Sequence, residues 1–189
     1  MGPQQYLVRA TVCAVCFLPA ILIFRIFRRK YLRKRGFCVT IRHETGEILF
    51  FCCLSAIISL TVLCDLPAFS FSDLWINLLP GKVLFTTKAA LAGGNSGPLW
   101  INFLGNILIF LPIGFFPPLL WNLSGKKTVG ICFLISLFIE LAQLFLPRTS
   151  DIDDLILNTL GGAIGVMGYQ LFSKIGNPAE WKIKKHNFL

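Results

Sequence analysis

Five charged side chains and two amides fall within nineteen residues, spaced as Glu140-x-x-Gln143 and then Arg148-x-x-Asp151-x-Asp153-Asp154-x-x-x-Asn158. Carboxylates in such a cluster can act as general acid and base or hold a hard cation with waters. A guanidinium can grip a phosphate or carboxylate through a bidentate pair. Glu140 and Gln143, three apart, share a helix face. Asp154 and Asn158, four apart, share another, with Asp151 close to it and Asp153 directed elsewhere. Asn102 and Asn106 have the same four-residue spacing upstream. Each of these also has a structural reading. The two asparagines suit interhelical hydrogen bonding. Ser150 with an acid three residues on forms a capping-box pattern, and acids in a first helical turn meet the positive end of the helix dipole.

The elements that must position this cluster are membrane-type helices. The chain has 189 residues, 55% of them hydrophobic and 14% charged, against about 25% charged in soluble domains. Five apolar stretches, at residues 7–27, 48–67, 99–121, 128–146 and 152–172, each approach the ~20 residues needed to cross a bilayer. The expected fold is an all-α polytopic bundle with about five transmembrane spans. Ionisable groups in such spans face the bundle interior or a wet cavity. Glu140 lies six residues before the end of its stretch, about 9 Å below the helix end, so it must be paired or neutral.

Fourteen Lys and Arg residues fall on one side of this arrangement and four on the other. Eight of the fourteen follow the first stretch, from Arg25 to Arg42. The positive-inside rule then places the N-terminus outside and the C-terminus in the cytoplasm. The formal charge of +9 is accounted for by topology, and no soluble fold is available to carry nucleic acid. A cleaved signal peptide is not expected, because the basic residues follow the first apolar run instead of preceding it. Arg9 near its start weakens that run, and Asp65 sits near the end of the second. The external segment 68–98 carries Phe69, Phe71, Trp75, Ile76, Leu78 and Leu79, a pattern that lies in the membrane interface or folds as a lid.

Seven cysteines are present, six in apolar runs. Cys13 and Cys16 form a C-x-x-C inside a helix and read as small buried hydrophobes. Pro112 is expected to loosen its helix. Gly161-x-x-x-Gly165, followed by Gly168, is the small-residue pattern that lets membrane helices approach closely. It should draw the last span against the third or fourth.

The combined pattern Asn106-x-x-x-Phe110-x-Pro112-x-Gly114-Phe115, Glu140-x-x-Gln143 and Arg148-x-x-Asp151-x-Asp153-Asp154-x-x-x-Asn158-x-x-Gly161 resembles the VanZ-like family of bacterial membrane proteins, and Asn77-Leu-Leu-Pro80 fits it as well. The chain departs from the pattern at Phe116-Pro117-Pro118. The resemblance covers about residues 47–173. It leaves residues 1–46 as a first span with a basic cytoplasmic loop and 174–189 as a basic cytoplasmic tail. It implies a multi-pass protein of the bacterial cell membrane, in a family whose namesake is associated with resistance to teicoplanin.

The expected function is binding or modulation of an envelope lipid, a lipid-linked cell-wall precursor or a glycopeptide antibiotic in an outward-facing pocket. Its expected lining is Asn102, Asn106, Glu140, Gln143, Arg148, Asp151, Asp154 and Asn158. No cofactor or metal is expected: the chain lacks a P-loop, a zinc spacing and a serine-nucleophile motif, and its two histidines, His43 and His186, lie on the inner side. An enzyme using paired carboxylates on a lipid-linked substrate is an alternative. A small transporter is a weaker one, because the inner halves of the spans are nearly apolar.

Overall fold

A computed structural model describes residues 3–63, 76–97, 99–146 and 150–185. Asp65, Phe69, Phe71, Trp75, Arg148 and His186 lie outside the described residues, as does the side chain of Arg9. The chain is an all-α bundle. Helix α1 (Pro3–Cys16) and helix α2 (Leu18–Lys34) form one rod, broken at Phe17 where Pro19 enters the first turn of α2. Proline is tolerated there because first-turn N–H groups have no helical partner. The rod continues through the basic residues that the sequence placed in a loop.

That continuation has an electrostatic reason. Arg25, buried at 4% exposure, ion-pairs with Glu47 and lies 3.5 Å from Glu44. Arg28 also pairs with Glu47. The two acids belong to α3 (Ile41–Ile58), which starts earlier than the hydropathy of the second stretch indicated. Thr40 caps α3, its hydroxyl accepting from the His43 N–H at 3.2 Å. With their charges matched across the α2–α3 contact, neither helix needs to end where the charges begin. The Trp121 indole donates to Glu47 Oε1 at 2.9 Å, and His43 Nδ1 lies 2.6 Å from the Trp181 carbonyl oxygen. One buried carboxylate thus ties three helices together.

Helix α3 runs on as a π-helical turn, Ser59–Leu63. Strand β1 (Phe37–Cys38) pairs antiparallel with β4 (Lys184–Lys185), which follows a 3₁₀ turn, Pro178–Trp181. At the other end, β2 (Ile76–Asn77) pairs parallel with β3 (Ser150–Asp151). After β2 comes α4 (Lys82–Ala92), entered through Gly81 at φ +91°. Its segment exposes Leu78, Leu79, Leu84 and Phe85.

A second π-helical turn, Leu99–Leu104, leads into α5 (Gly105–Trp121), which runs through Pro112, Pro117 and Pro118 and stops at Asn122 in the left-handed region. Helices α6 (Gly125–Gln143) and α7 (Ile152–Ile175) complete the bundle. The closest packing is between α5 and α7. A Cβ on Gly114 would overlap the Gly162 carbonyl, and one on Gly161 or Gly165 would overlap the carbonyl of Ile107 or Leu111. Gly162 faces α6, where Cys132 fills the space a side chain would take. The glycine run therefore draws the last helix against α5 and α6 at once. Phe50, Ile57, Phe110, Ile113, Cys132 and Ile139 form the core between α3, α5 and α6.

Among the described residues, four helical stretches are long and apolar enough to cross a membrane: Thr11–Lys34, Ile41–Leu63, Asn102–Trp121 and Ile152–Ile175. The expected fourth span, α6, has 19 residues and carries Lys126, Lys127 and Glu140. It stands beside α5 and α7 in the same bundle. Successive rods alternate in direction. One end of the bundle gathers most of the described basic residues, the β1–β4 pair and the 3₁₀ turn. The opposite end gathers Glu140, Asp151, Asp153, Asp154, Lys82 and Lys88, together with the π-helical turns Ser59–Leu63 and Leu99–Leu104.

Candidate functional site

The acid-rich end is assembled around the start of α7. Asp151, not Ser150, is the N-cap: its carboxylate accepts from the Asp153 N–H at 3.0 Å and from Asn77 Nδ2 at 2.9 Å. The reason lies in the β2–β3 pairing, which holds Ser150 one residue outside the helix. The Ser150 hydroxyl and the Asp151 N–H both donate to Glu140 Oε2, each at 2.9 Å. A carboxylate with only 6% of its residue exposed is thereby hydrogen-bonded from a neighbouring strand, which removes most of the penalty of burial. Asp153 turns away toward α4 and accepts from the N–H groups of Gly81 at 2.6 Å and Val83 at 2.7 Å. It caps a neighbouring helix instead of lining the site.

Asn106, Glu140, Gln143, Asp154 and Asn158 line one cavity of about 230 Å³ between α3, α5, α6 and α7. Asn106 Nδ2 donates to Asp154 Oδ1 at 2.5 Å. Gln143 Nε2 donates to the Thr61 carbonyl at 3.2 Å, joining α6 to the first π-helical turn. Asn158 Nδ2 donates to Ser136 Oγ at 2.9 Å. Asn158 is 5% exposed, and among the described residues its Oδ1 has no hydrogen-bond partner. Ser59 Oγ, fully buried on the π-helical turn, also lacks one among those residues. A buried acceptor facing a polar cavity is suited to a donor supplied by water or a ligand.

The other expected lining residues are placed differently. Asn102 is exposed on the second π-helical turn and is not on the cavity wall. The i→i+5 bonding of that turn widens it, so a four-residue step no longer returns to the face of Asn106. Asp151 lines a neighbouring cavity of about 220 Å³, and Glu140 stands between the two. Arg148 lies outside the described residues.

Thr61 and Ser136 are site components that pattern reading did not find. Ser136 meets Asn158 through its hydroxyl and Thr61 meets Gln143 through its backbone carbonyl, its own hydroxyl donating to the Ile57 carbonyl at 2.7 Å, and helix spacing signals neither contact. The Arg25–Glu47 pairing was missed too. Its signal was present: Arg25 and Arg28 are three apart near the end of one apolar segment, and Glu44 and Glu47 are three apart at the start of the next.

Chemically, the cavity offers two carboxylates and three primary amides, and among the described residues no Lys or Arg lines it. Amides both donate and accept, while ionised carboxylates only accept. Such a wall presents both donors and acceptors to a hydroxyl group. π-Helical turns recur at functional sites, where they re-aim side chains. Of the two among the described residues, one supplies Leu60 and Thr61 to the wall, and the other ends immediately before Gly105, which also lines it.

The sequence profile of the VanZ/LLP1 family matches residues 48–173. That range contains every residue lining the polar cavity and both π-helical turns. No curated protein and no solved structure matches the chain. The family match spans most of the chain and encloses a membrane-type bundle with its polar cavity intact: the protein is a membrane protein of the VanZ/LLP1 family.

Proposed function

We propose that all five rods cross a bacterial cell membrane, with the acid-rich end outside and the basic end in the cytoplasm. In this reading the polar cavity binds an envelope lipid, a lipid-linked cell-wall precursor or a glycopeptide antibiotic such as teicoplanin. Charge distribution supports the orientation, because Lys and Arg accumulate on the cytoplasmic side of membrane proteins. The exposed Leu78, Leu79, Leu84 and Phe85 around α4 would then lie in the outer membrane interface.

The observation that carries the binding reading is the convergence of Asn106, Glu140, Gln143, Asp154 and Asn158 on one cavity in which Asn158 Oδ1 is left without a partner among the described residues. A cluster serving only to glue helices together would close on itself. Binding of fluorescent teicoplanin and of a labelled lipid-linked cell-wall precursor to the purified full chain tests this directly, with Asp154→Asn and Asn158→Leu as pocket variants and Arg148→Ala beside them. Saturable binding that weakens in the pocket variants is expected. The absence of saturable binding for every envelope ligand tried, with the protein folded, would overturn the proposal.

A further inference from the structure

Helix α2 carries two sets of cations, divided by helix face. Ile21, Arg25, Arg28 and Leu32 recur at helical spacing, are buried or half-buried, and form the face turned to the bundle. Arg25 and Arg28 on that face are matched by Glu44 and Glu47. On the opposite face Ile23, Phe27, Lys30 and Lys34 follow at steps of three or four residues, with Tyr31 beside them, and all five are exposed. The described acids at this end are Glu44, Glu47 and Glu180, and each is already paired: Glu44 and Glu47 with arginines of α2, Glu180 with Arg42. Lys30 and Lys34 thus have no acid partner among the described residues. One turn apart on a helix, two like charges repel, and an anion seated between them reverses the sign of that interaction.

We propose that this outward face of α2 is a site for one anionic phospholipid of the surrounding bilayer, its phosphate between Lys30 and Lys34 and its acyl chains along Phe27 and Ile23. Depth fits the headgroup. Lys30 and Lys34 stand about 5 and 10 Å beyond Phe27 along the helix axis, and the polar layer of a bilayer extends about 5–8 Å past the hydrocarbon. Tyr31 lies at the same level, with the Arg35 guanidinium 4.6 Å over its ring, where aromatic rings with a polar tip settle. Rigidity matters too. Because α2 stays helical to Lys34, the two lysines hold a fixed register instead of swinging on a loop. The α1–α2 rod buries only 6% of its apolar stretch in the bundle, so among the described residues no helix covers this face. Cations continuous with an apolar stripe fit an amphiphile, whereas a soluble polyanion meets the lysines alone. The site stands at the opposite end of the bundle from the polar cavity and does not depend on what that cavity binds.

The test titrates the full chain, purified in a neutral detergent, with phosphatidylglycerol and with phosphatidylcholine of the same acyl chains, and reads bound lipid by native mass spectrometry. Phosphatidylglycerol should be held about tenfold more tightly than phosphatidylcholine, and the double variant Lys30→Gln/Lys34→Gln should abolish that preference. Should the double variant fail to fold, Lys34→Gln alone, at the last residue of α2, should reduce the preference about threefold. Lys126→Gln/Lys127→Gln removes two exposed cations of the same end from the start of α6 and should leave the preference intact. Equal losses in the two double variants would mean a diffuse charge effect and overturn the site on α2. Equal retention of the two lipids by folded wild-type protein would overturn the proposal outright. Displacement of phosphatidylglycerol by a short single-stranded RNA would assign the face to a soluble polyanion and overturn the lipid. Competition by glycerol phosphate at the same concentration would overturn the role of the acyl chains.

Discussion

Asn106 on α5 and Asp154 on α7 are joined by a 2.5 Å hydrogen bond from Nδ2 to Oδ1, across the helix pair that packs most closely in the bundle. The donor is an uncharged amide. Asn106→Asp sets a second carboxylate against that of Asp154, and like charges at that separation repel. A loss of about 1–3 kcal/mol is expected, read as a lower apparent melting temperature in detergent. Combining it with Asp154→Asn reverses the pair and should recover most of the loss. A double variant no more stable than the single would show that the two side chains do not interact.

The α5–α7 contact depends on the absence of side chains. Gly114→Val drives atoms into the Gly162 backbone, so α5 and α7 must separate and lose their close packing. The expected destabilisation is about 3 kcal/mol or more, seen as loss of the monodisperse folded species on size exclusion. Gly130→Ala, on an open face of α6 with nothing within 4 Å of the new Cβ, should be neutral. Equal effects at the two positions would contradict the packing.

The acids at the basic end divide into two kinds. Glu47 is fully buried between Arg25, Arg28 and Trp121. Removing its charge in Glu47→Gln takes the ion pair from Arg28 and leaves Arg25 only Glu44, at 3.5 Å, and should cost about 3–5 kcal/mol. Glu180 pairs with Arg42 where the side chains are 40% and 59% exposed, and Glu180→Gln should change stability by about 0–1 kcal/mol. Thermal unfolding of both variants checks the contrast.

Asp153 holds α4 through two backbone N–H groups that have no helical partner of their own. Asp153→Ala should release the start of α4 at a cost of about 1–2 kcal/mol. Hydrogen exchange should speed up over residues 81–92, with α5 unchanged. Unaltered exchange in that segment would mean the cap does not hold the helix.

Orientation can be read by labelling with a membrane-impermeant maleimide. Lys88→Cys, exposed on α4, should react in intact cells. Lys126→Cys, exposed at the start of α6, should react only after permeabilisation. The unsubstituted chain serves as the background for its own cysteines. The reverse pattern would invert the proposed topology.

Much was settled by the linear chain. Apolar stretches near bilayer length, with Lys and Arg kept to alternate gaps, define an all-α membrane bundle because hydropathy and loop charge are local properties. The spacing of Glu140 and Gln143, and of Asp154 and Asn158, put each pair on one helix face, since each lies on a regular helix whose period is known, while the packing of α6 and α7 set the two pairs on one cavity. Gly161 and Gly165 announced a close helix contact, though not its partner. What only tertiary structure decided depends on neighbours distant in sequence. Asn102 left the face of Asn106 because a π-helical turn changed the helical period. Ser150 lost the cap to Asp151 because strand β2, over seventy residues away, fixed where α7 begins. Arg25 and Arg28 stayed helical because Glu47 was waiting on the next helix. In each case a side chain's role was set by a partner that no window of local sequence contains.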